Sequence, residues 1–283
     1  MPEGHTIYRV ARAHNRTLRG QRVHADSPQG RFAAGAALLD GRELRRAEAV
    51  GKHLFHRYSA TAASAEGSAS VGGQLWLHVH LGLYGEWRTG ETPMPAARGA
   101  LRLRLWTDQT WWELRGATSC EVLTTPEVQA VRARLGPDPL RRNADSALAY
   151  DRIARSPTAI GVLLMNQAVL AGVGNVYRAE LLFRHGIDPH RPGVTIEPAR
   201  WTAMWADLVD LMRDGVRRGR IVTTRPADRR RSQVYVYRRT AEPCLVCGTP
   251  IRTEIMAARN LYWCPRCQPP LTTAAGGPGN EAG

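Results

Sequence analysis

The arrangement of apolar and polar residues separates the chain into a first half of strands and a second half of helices. Between residues 4 and 19, apolar residues recur every three or four positions, and Gly20 is suited to end the helix that this spacing predicts. In residues 75–81 and 101–105, leucine or valine alternates with polar or aromatic residues. Such alternation is typical of antiparallel strands buried on one side. We therefore predict one helix followed by a β-rich domain.

The pattern changes near residue 126, where helical spacing returns. Residues 127–135 predict a helix, which the sequence Gly-Pro-Asp-Pro at 136–139 ends. Further helices are predicted at about 145–155, 158–170, 175–185 and 198–217. A Ser/Ala/Gly-rich stretch at 59–73 predicts a surface loop. The predicted division is a β-rich domain at 1–125, a linker at 126–144, a helical domain at 145–238, a cysteine-containing segment at 239–268 and a disordered tail at 269–283.

Charge indicates the class of partner. The 283 residues include 39 lysine and arginine against 25 aspartate and glutamate, for a net charge of +14. This excess favours a polyanion such as nucleic acid and argues against an acidic or purely small-molecule partner. No apolar run reaches the roughly 18 residues of a membrane span, and the first residues lack the segments of a signal peptide. We expect a cytoplasmic protein that binds nucleic acid and no membrane.

The single lysine stands out in this composition. All but one of the basic residues are arginine, and the exception is Lys52. A compact ammonium and a planar guanidinium are not interchangeable, so the lone lysine can mark a position that only an ammonium suits. Survival of one lysine by chance at a neutral surface position explains the composition equally well.

Four of the five cysteines lie close together near the C-terminus. They form two Cys-x-x-Cys pairs separated by sixteen residues: Cys244, Cys247, Cys264 and Cys267. Four thiolates at this spacing suit a tetrahedral Zn²⁺ and leave no open position for catalysis. We predict one structural zinc, against the alternative of four unmetallated cysteines. Cys120 stands apart and is predicted to be a small buried hydrophobic residue.

The segment between the cysteine pairs is basic and aromatic. It contains Arg252, Arg259, Tyr262 and Trp263, and Arg266 lies within the second pair. A short zinc-held hairpin that presents arginine is suited to contact phosphate. The alternative is a solvated basic loop without a partner.

A glycine-containing turn lies between two predicted helices. The residues from Gln167 to Tyr177 include Gly172, Gly174 and Asn175. They lack the third glycine and the preceding strand of a dinucleotide-binding loop. A tight turn here would let a partner approach closely, and the N–H groups that begin the next helix would form an anion site. A simple helix C-cap is the alternative.

The N-terminus carries a further candidate group. Removal of Met1 would leave Pro2 as a free secondary amine beside Glu3, at the start of the first helix. The helix dipole favours the neutral, nucleophilic amine and the ionised carboxylate. A secondary amine can attack an electrophilic carbon to give an iminium, and a neighbouring carboxyl can act as acid or base. An ordinary chain terminus is the alternative.

One alternating strand ends in an apolar tip at residues 80–87. Leu83 and Tyr84 lie there between Gly82 and Gly85. Large side chains at an exposed turn can act as wedges that enter a base stack. The alternative is that both belong to the core.

Taken together, these features resemble the formamidopyrimidine-DNA glycosylase and endonuclease VIII family of base-excision repair enzymes. The likeness runs through five segments in order: Pro2-Glu3-Gly4, Gly51-Lys52-His53-Leu54, Leu135-Gly136-Pro137-Asp138-Pro139-Leu140, Gln167 to Tyr177, and the four cysteines that end at Cys267. Pro-Glu-Gly and Leu-Tyr-Gly are more similar to the endonuclease VIII branch. The resemblance implies an α+β fold, with an N-terminal helix and antiparallel β-sandwich, a helix–two-turn–helix domain and a four-cysteine zinc finger.

The resemblance also implies the catalytic residues. Pro2 would be the nucleophile that displaces the damaged base at C1′, and Glu3 the general acid/base that helps to open the sugar ring. Lys52 would contact the DNA phosphate near the lesion and assist catalysis, which would account for the lone lysine.

The DNA-binding residues follow from the same resemblance. Asn175, with the backbone around Gly174, would clamp a phosphate, and Arg259 would be the finger arginine. Leu83 and Tyr84 would fill the hole that the flipped nucleotide leaves.

Two departures bear on specificity. Gly82 stands where endonuclease VIII commonly has glutamine, so the preference for the opposite base does not carry over. Residues 224–233 lie where the formamidopyrimidine branch has its purine-lesion loop, and this stretch is shorter. Oxidised pyrimidines are therefore favoured over oxidised purines.

The sequence thus predicts a monomeric bifunctional DNA glycosylase and AP lyase that acts on damaged DNA. It would work through a Schiff base at Pro2 followed by β,δ-elimination, in the bacterial cytoplasm at the nucleoid. Two alternatives stay open. One is a non-enzymatic zinc-ribbon DNA-binding regulator, which leaves Pro2, Glu3 and Lys52 unexplained. The other is a family member that binds lesions but has lost catalysis.

Overall fold

The computed structural model of the chain describes residues 2–59 and 74–271. The predicted loop at 59–73, apart from its first residue, lies outside the described residues, and so does the predicted tail from residue 272 onward. The first half contains α1 (Gly4–Thr17), β1 (Arg22–Asp26), α2 (Ala33–Leu39), β2 (Arg42–Val50), β3 (His53–Tyr58), β4 (Trp76–His80), β5 (Glu86–Glu91), β6 (Leu101–Trp106), β7 (Thr110–Arg115), β8 (Ser119–Leu123) and α3 (Thr125–Ala133).

The second half contains α4 (Ser146–Ala154), α5 (Ile160–Leu163), α6 (Asn175–Arg184), a 3₁₀ turn (Gly193–Thr195), α7 (Pro198–Arg218), β9 (Arg252–Met256) and β10 (Arg259–Trp263). Among residues 2–59 and 74–271, no helix combines the length and the apolar character that a membrane crossing requires.

The strands of the first half form an antiparallel sandwich. They hydrogen-bond in the order β5-β7-β6-β1-β2-β3-β4-β8, and β1 pairs with β2 only at Arg22↔Glu43 and Val23↔Arg42. This short junction lets the two four-stranded halves face each other. Leucines from both halves fill the space between them, with Leu54 and Leu103 completely or almost completely buried. The predicted β-sandwich is therefore confirmed.

Helix α1 lies against this sandwich along the predicted apolar stripe. Ile7, Ala11 and His14 are buried on that stripe. Gly20 follows the helix with φ +78°, a left-handed conformation that glycine adopts without strain. The predicted helix and its glycine stop are both present, with the helix ending at Thr17.

The alternating strand β4 is buried on both faces, which corrects the prediction of one exposed face. Leu77 and Val79 point into the sandwich core. Trp76 belongs to a second apolar cluster with Phe55 and Val128 of α3, so α3 covers the outer face. Strand periodicity reports which side of a strand faces the core but not what packs on the other side.

The predicted helix at 158–170 is much shorter in the structure. Helix α5 covers only Ile160–Leu163, and turns continue to Gly172. The side chain of Asn166 accepts a hydrogen bond from the N–H of Ala168 (2.9 Å), and that of Gln167 accepts one from the N–H of Gly172 (2.9 Å). These side chains take backbone donors that a continuous helix would use. The result is the two-turn connection that precedes α6.

Candidate active site and DNA interface

Glu3 connects the start of the chain to the start of α6. Its side chain is completely buried, and its carboxylate accepts hydrogen bonds from the backbone N–H groups of Gly174 (2.9 Å), Val176 (2.8 Å) and Tyr177 (3.4 Å). Backbone donors and the helix dipole favour an anion at this position. The predicted anion site therefore exists, but a residue 171 positions earlier fills it. The backbone around Gly174 was expected to help clamp a DNA phosphate, but the N–H of Gly174 itself is bonded to Glu3.

Burial changes the acidity of this carboxyl. Desolvation raises the pKa of Glu3 above its ordinary value, while the charge of Lys52 and the backbone N–H donors lower it, and the net pKa is raised. Pro2 lies beside Glu3, just before α1, and is half-buried. A carboxyl with a raised pKa holds its proton closer to neutral pH than an exposed glutamate does. This property suits the general acid that the sequence predicted beside Pro2.

Glycines allow the two halves of the molecule to meet at this point. The N–H of Gly4 donates to the carbonyl oxygen of Gly172 (2.8 Å), and a Cβ on Gly4 would lie 3.0 Å from the Cα of Gly172. A Cβ on Gly174 would lie 2.5 Å from the Glu3 carboxyl carbon. Any larger residue at these positions would separate Glu3 from α6.

Lys52 lies in the turn between β2 and β3, close to the same contact. Gly51 has φ +57°, and a Cβ there would lie 3.0 Å from Ala171 in the two-turn connection. Burial lowers the pKa of Lys52, the charge of Glu3 raises it, and the charge of Arg259 lowers it, with a net decrease. The structure thus brings Glu3, Lys52 and Arg259 close enough for their charges to interact.

Asp138 in the linker holds the turn that carries Lys52. Its buried carboxylate accepts hydrogen bonds from the N–H groups of Gly51 (2.7 Å) and Leu140 (2.9 Å). We expect Asp138→Ala to lower the free energy of unfolding by about 2 kcal/mol, because two backbone donors lose their partner. Urea unfolding measures this loss, with the exposed Asp151→Ala as the control. Equal stability of the two variants would contradict this role.

The finger hairpin contacts the beginning of α6. The side-chain N–H of Asn175 donates to the carbonyl oxygen of Asn260 (2.8 Å). Arg178, which is completely buried, donates to the side-chain oxygen of Asn175 and to the carbonyl oxygen of Asn260 (3.3 Å). Arg259, the first residue of β10, is half-buried beside this contact. Asn175 and Arg259 are therefore brought together, with Arg178 between α6 and the hairpin.

Leu83 and Tyr84 stand apart from this buried group. Their exposed fractions are 39% and 86%, which excludes the alternative that both are core residues. Gly82 has φ +66°, and a Cβ there would lie 1.9 Å from the hydroxyl oxygen of Thr118. The tip therefore requires glycine at this position and presents two large side chains to the solvent.

The four clustered cysteines fit a zinc ion. Their sulfur atoms all lie within 4.8 Å of one another, and the pairs Cys244–Cys267 and Cys247–Cys264 are 3.8 and 3.4 Å apart. A tetrahedron of sulfurs about 2.3 Å from Zn²⁺ has edges of about 3.8 Å. Cys120 packs against the sandwich core, and burial raises the pKa of its thiol to about 12, as suits an unreactive residue.

One buried arginine and one cluster of buried and half-buried histidines were not identified from the sequence. Arg178 was indistinguishable from the many surface arginines, although its position three residues after Asn175 places it on the same side of α6. His53, His78 and His80 cluster on β3 and β4 beside Lys52. The recurrence of histidine on one side of an alternating strand next to the lone lysine was the available signal.

Three family profiles match the chain in order. The "Formamidopyrimidine-DNA glycosylase N-terminal domain" matches residues 1–117, and the "Formamidopyrimidine-DNA glycosylase H2TH domain" matches residues 135–226. The "Zinc finger found in FPG and IleRS" matches residues 241–270. The candidate residues named above from the sequence lie within the matched segments, except Cys120 and residues 227–233 of the segment at 224–233.

Two curated relatives are similar over nearly the whole chain. "Endonuclease 8 1" of Mycobacterium tuberculosis is 50% identical, covering 95% of this chain and 100% of its own. "DNA-(apurinic or apyrimidinic site) lyase Nei2" of Mycolicibacterium smegmatis is 35% identical, covering 95% and 99%. The solved structure of Lactococcus lactis Fpg with abasic-site DNA has a TM-score of 0.76 at 20% identity, covering 94% of this chain and 99% of its own. At that identity the solved structure bears on the fold alone.

Proposed function

The chain belongs to the formamidopyrimidine-DNA glycosylase and endonuclease VIII family, and we propose that it excises oxidised bases from DNA through a Schiff base at Pro2. It is a DNA glycosylase and AP lyase of base-excision repair, as its similarity to endonuclease 8 and to an AP lyase over nearly the full length supports. In this proposal Pro2, Glu3 and Lys52 are catalytic residues.

The position of Glu3 is the observation that carries the proposal. The Glu3 carboxylate is fully buried beside Pro2, at the start of α6, where the charge of Lys52 acts on it. Burying a carboxylate costs free energy, and a surface that only binds DNA does not require a buried carboxylate. This favours an enzyme over the alternative of a non-enzymatic zinc-finger regulator. It also argues against a family member that has lost catalysis, because Pro2, Glu3 and Lys52 are all present.

The proposed reaction begins when the Pro2 nitrogen attacks C1′ and the bond from C1′ to the damaged base breaks. The base leaves with the proton that the Pro2 nitrogen loses. Glu3 gives its proton to the ring oxygen of the sugar, which opens, and C1′ becomes an iminium of Pro2. The iminium withdraws electrons, so C2′ loses a proton and the 3′ phosphate leaves. A second elimination releases the 5′ phosphate, and water hydrolyses the remaining iminium.

Access to C1′ requires the nucleotide to leave the duplex. Base flipping costs a few kcal/mol, and damaged bases that stack weakly cost least. Leu83 and Tyr84, exposed at a glycine-held tip, are proposed to fill the space that the nucleotide vacates. Arg259, Asn175 and the basic surface supply binding to phosphates, which carries no sequence preference.

We propose oxidised pyrimidines as the preferred substrates. The support is the short length of the segment at 224–233. The N–H of Thr223, just before the segment, donates a hydrogen bond to the carbonyl oxygen of Gln233, its last residue (2.9 Å). A panel of duplexes, each with one defined lesion, tests the preference. Faster excision of oxidised purines than of oxidised pyrimidines would contradict it.

Abasic-site cleavage tests the enzymatic function itself. Purified protein is expected to cut a duplex at a single abasic site and to leave phosphates at both ends of the gap. A DNA-binding regulator or an inactive family member would bind this duplex without cutting it.

The phosphate-binding residues give a separate prediction. We expect Asn175→Ala and Arg259→Ala to weaken binding to damaged and undamaged DNA alike, because phosphate contacts do not read bases. For Arg259→Ala the slope of log K against log salt should fall by about one. Asn175 also bonds to the hairpin, so its variant is expected to have the larger effect. Loss of binding on lesion DNA only would contradict the phosphate role.

We further propose one structural zinc per chain, held by Cys244, Cys247, Cys264 and Cys267. Zinc bound there would join the two ends of the finger and stabilise the hairpin that carries Arg259. We also propose that the protein acts as a monomer in the bacterial cytoplasm, where its substrate is damaged chromosomal DNA.

A further inference from the structure

A chain of polar side chains crosses the outer face of the sandwich and ends at His53, the residue that directly follows Lys52. The carboxylate of Glu121 on β8 accepts a hydrogen bond from Nδ1 of His78 on β4 (2.8 Å). Nε2 of His78 lies 2.8 Å from Nδ1 of His53, the first residue of β3. Glu121 pairs with His78 across the strands, and His53 pairs with His80, so all four residues share one face of the sheet.

The surroundings keep the two imidazoles of this chain neutral. Phe55 is stacked on His78 with ring centroids 4.9 Å apart. Burial lowers the pKa of His53 to about 3, and the charges of Arg134 and Lys52 and the nearby His78 and His80 lower it too. Burial also lowers the pKa of His78, against the opposing effect of Glu121.

Neutral imidazoles in this arrangement can hold their protons in only one order. A carboxylate has no proton to donate, so Nδ1 of His78 carries the hydrogen and Nε2 of His78 is an acceptor. Nδ1 of His53 must then donate to that acceptor, and Nε2 of His53 is left as an unprotonated acceptor. Both residues are thus held in the Nδ1–H form, which is the minor form of a free histidine side chain in water.

We propose that Glu121, His78 and His53 are positioning residues for Lys52, because their hydrogen-bonded chain fixes the side chain of His53, the first residue of β3, directly after the turn that carries Lys52. The proposal rests on the proposed role of Lys52 in base excision. His53 follows Lys52 directly in the sequence, and the charge of Lys52 acts on both His53 and His80. A half-exposed carboxylate on the edge strand β8 would therefore control the proton order of the residue that follows the catalytic lysine.

The proton order can be measured without any activity. In protein labelled with ¹⁵N-histidine, the nitrogen shifts of His53 and His78 should report the Nδ1–H form in both. A ¹⁵N–¹⁵N coupling should be detectable across the hydrogen bond between them. In Glu121→Ala, which removes a half-exposed side chain, both residues should shift toward the Nε2–H form. Nε2–H forms in the unmodified protein would overturn the proposal.

The link to Lys52 is tested by a double-mutant cycle. Glu121→Ala should slow excision of an oxidised pyrimidine about tenfold, and Lys52→Arg with Glu121→Ala should be no slower than Lys52→Arg alone. Glu43→Ala removes a carboxylate from β2 that pairs with Arg45, and serves as the matched control. Additive losses, or an equal loss in Glu43→Ala, would overturn the proposal.

Failure of the proposed function gives a different result. If the unmodified protein neither excises a base nor forms a cross-link on abasic DNA, the enzymatic role is wrong. If it does both but the two histidines lack the Nδ1–H form, the enzymatic role stands and the positioning chain is wrong.

Discussion

Replacing Cys264 with serine is expected to abolish DNA binding and to leave the β-sandwich folded. The finger has a small core in which Cys244 and Cys264 are themselves buried members, next to Phe183, Ile251 and Tyr262. A core of this size does not supply enough apolar burial to hold β9 and β10 on its own, so binding of zinc would supply much of the folding free energy. Loss of one thiolate would therefore release the hairpin.

The consequence for DNA binding follows from the contacts of the hairpin. The carbonyl oxygen of Asn260 accepts hydrogen bonds from Asn175 and Arg178, and Arg259 is adjacent to it. Unfolding of the hairpin would remove Arg259 from its position beside α6. It would also break the hydrogen bond that holds the side chain of Asn175 to the hairpin. The sandwich shares no residue with the finger core and should keep its own unfolding transition.

Elemental analysis and band-shift assays measure these effects. Freshly purified protein should contain about one zinc per chain, and Cys264→Ser should contain almost none. Cys120→Ser is the control, because Cys120 packs against the sandwich and should leave zinc and DNA binding unchanged. Less than about half an equivalent of zinc in the unmodified, unchelated protein would contradict a structural zinc site.

Local sequence periodicity was sufficient to predict the helices and strands that bury one face. Helix α1, the alternating strands and α7 appear within a few residues of their predicted positions, because one buried face per element imposes its period on the sequence. Helix α3 begins at Thr125, two residues before its predicted start, and the N–H of Thr124 donates a hydrogen bond to the side chain of Glu127 (2.7 Å). The helix predicted at 158–170 was wrong because two polar side chains redirect the backbone hydrogen bonds.

Contacts between residues far apart in the sequence could not be predicted from local periodicity. Nothing near Gly174 in the sequence shows that Glu3 fills the N-terminus of α6, since 171 residues separate them. The same holds for Asp138 and Gly51, which meet across 87 residues. Lys52 stood out as a candidate because lysine occurs once in the chain, whereas Arg178 shared its residue type with many others. A residue type indicates a candidate site from the sequence alone only when that residue type is rare in the chain.

Blocking the N-terminal amine is expected to abolish the covalent intermediate completely. Two groups compete to be the nucleophile: the amine of Pro2 after removal of Met1, and the side chain of Lys52. A terminal amine has an ordinary pKa of about 8, and the positive end of a helix lowers it further. Burial lowers the pKa of Lys52 as well, so the lysine is a real competitor and has to be excluded by experiment.

Borohydride reduction of the complex with abasic DNA distinguishes the two amines. Reduction converts the iminium into a stable amine, so enzyme and DNA should become covalently joined. The cross-link should survive in Lys52→Arg, although excision of damaged bases should slow, and it should vanish when Met1 is retained or a tag covers Pro2. Peptide mass spectrometry should place the sugar on Pro2, next to the buried carboxyl of Glu3. A sugar on Lys52, or an undiminished cross-link with a blocked terminus, would show that the lysine is the nucleophile.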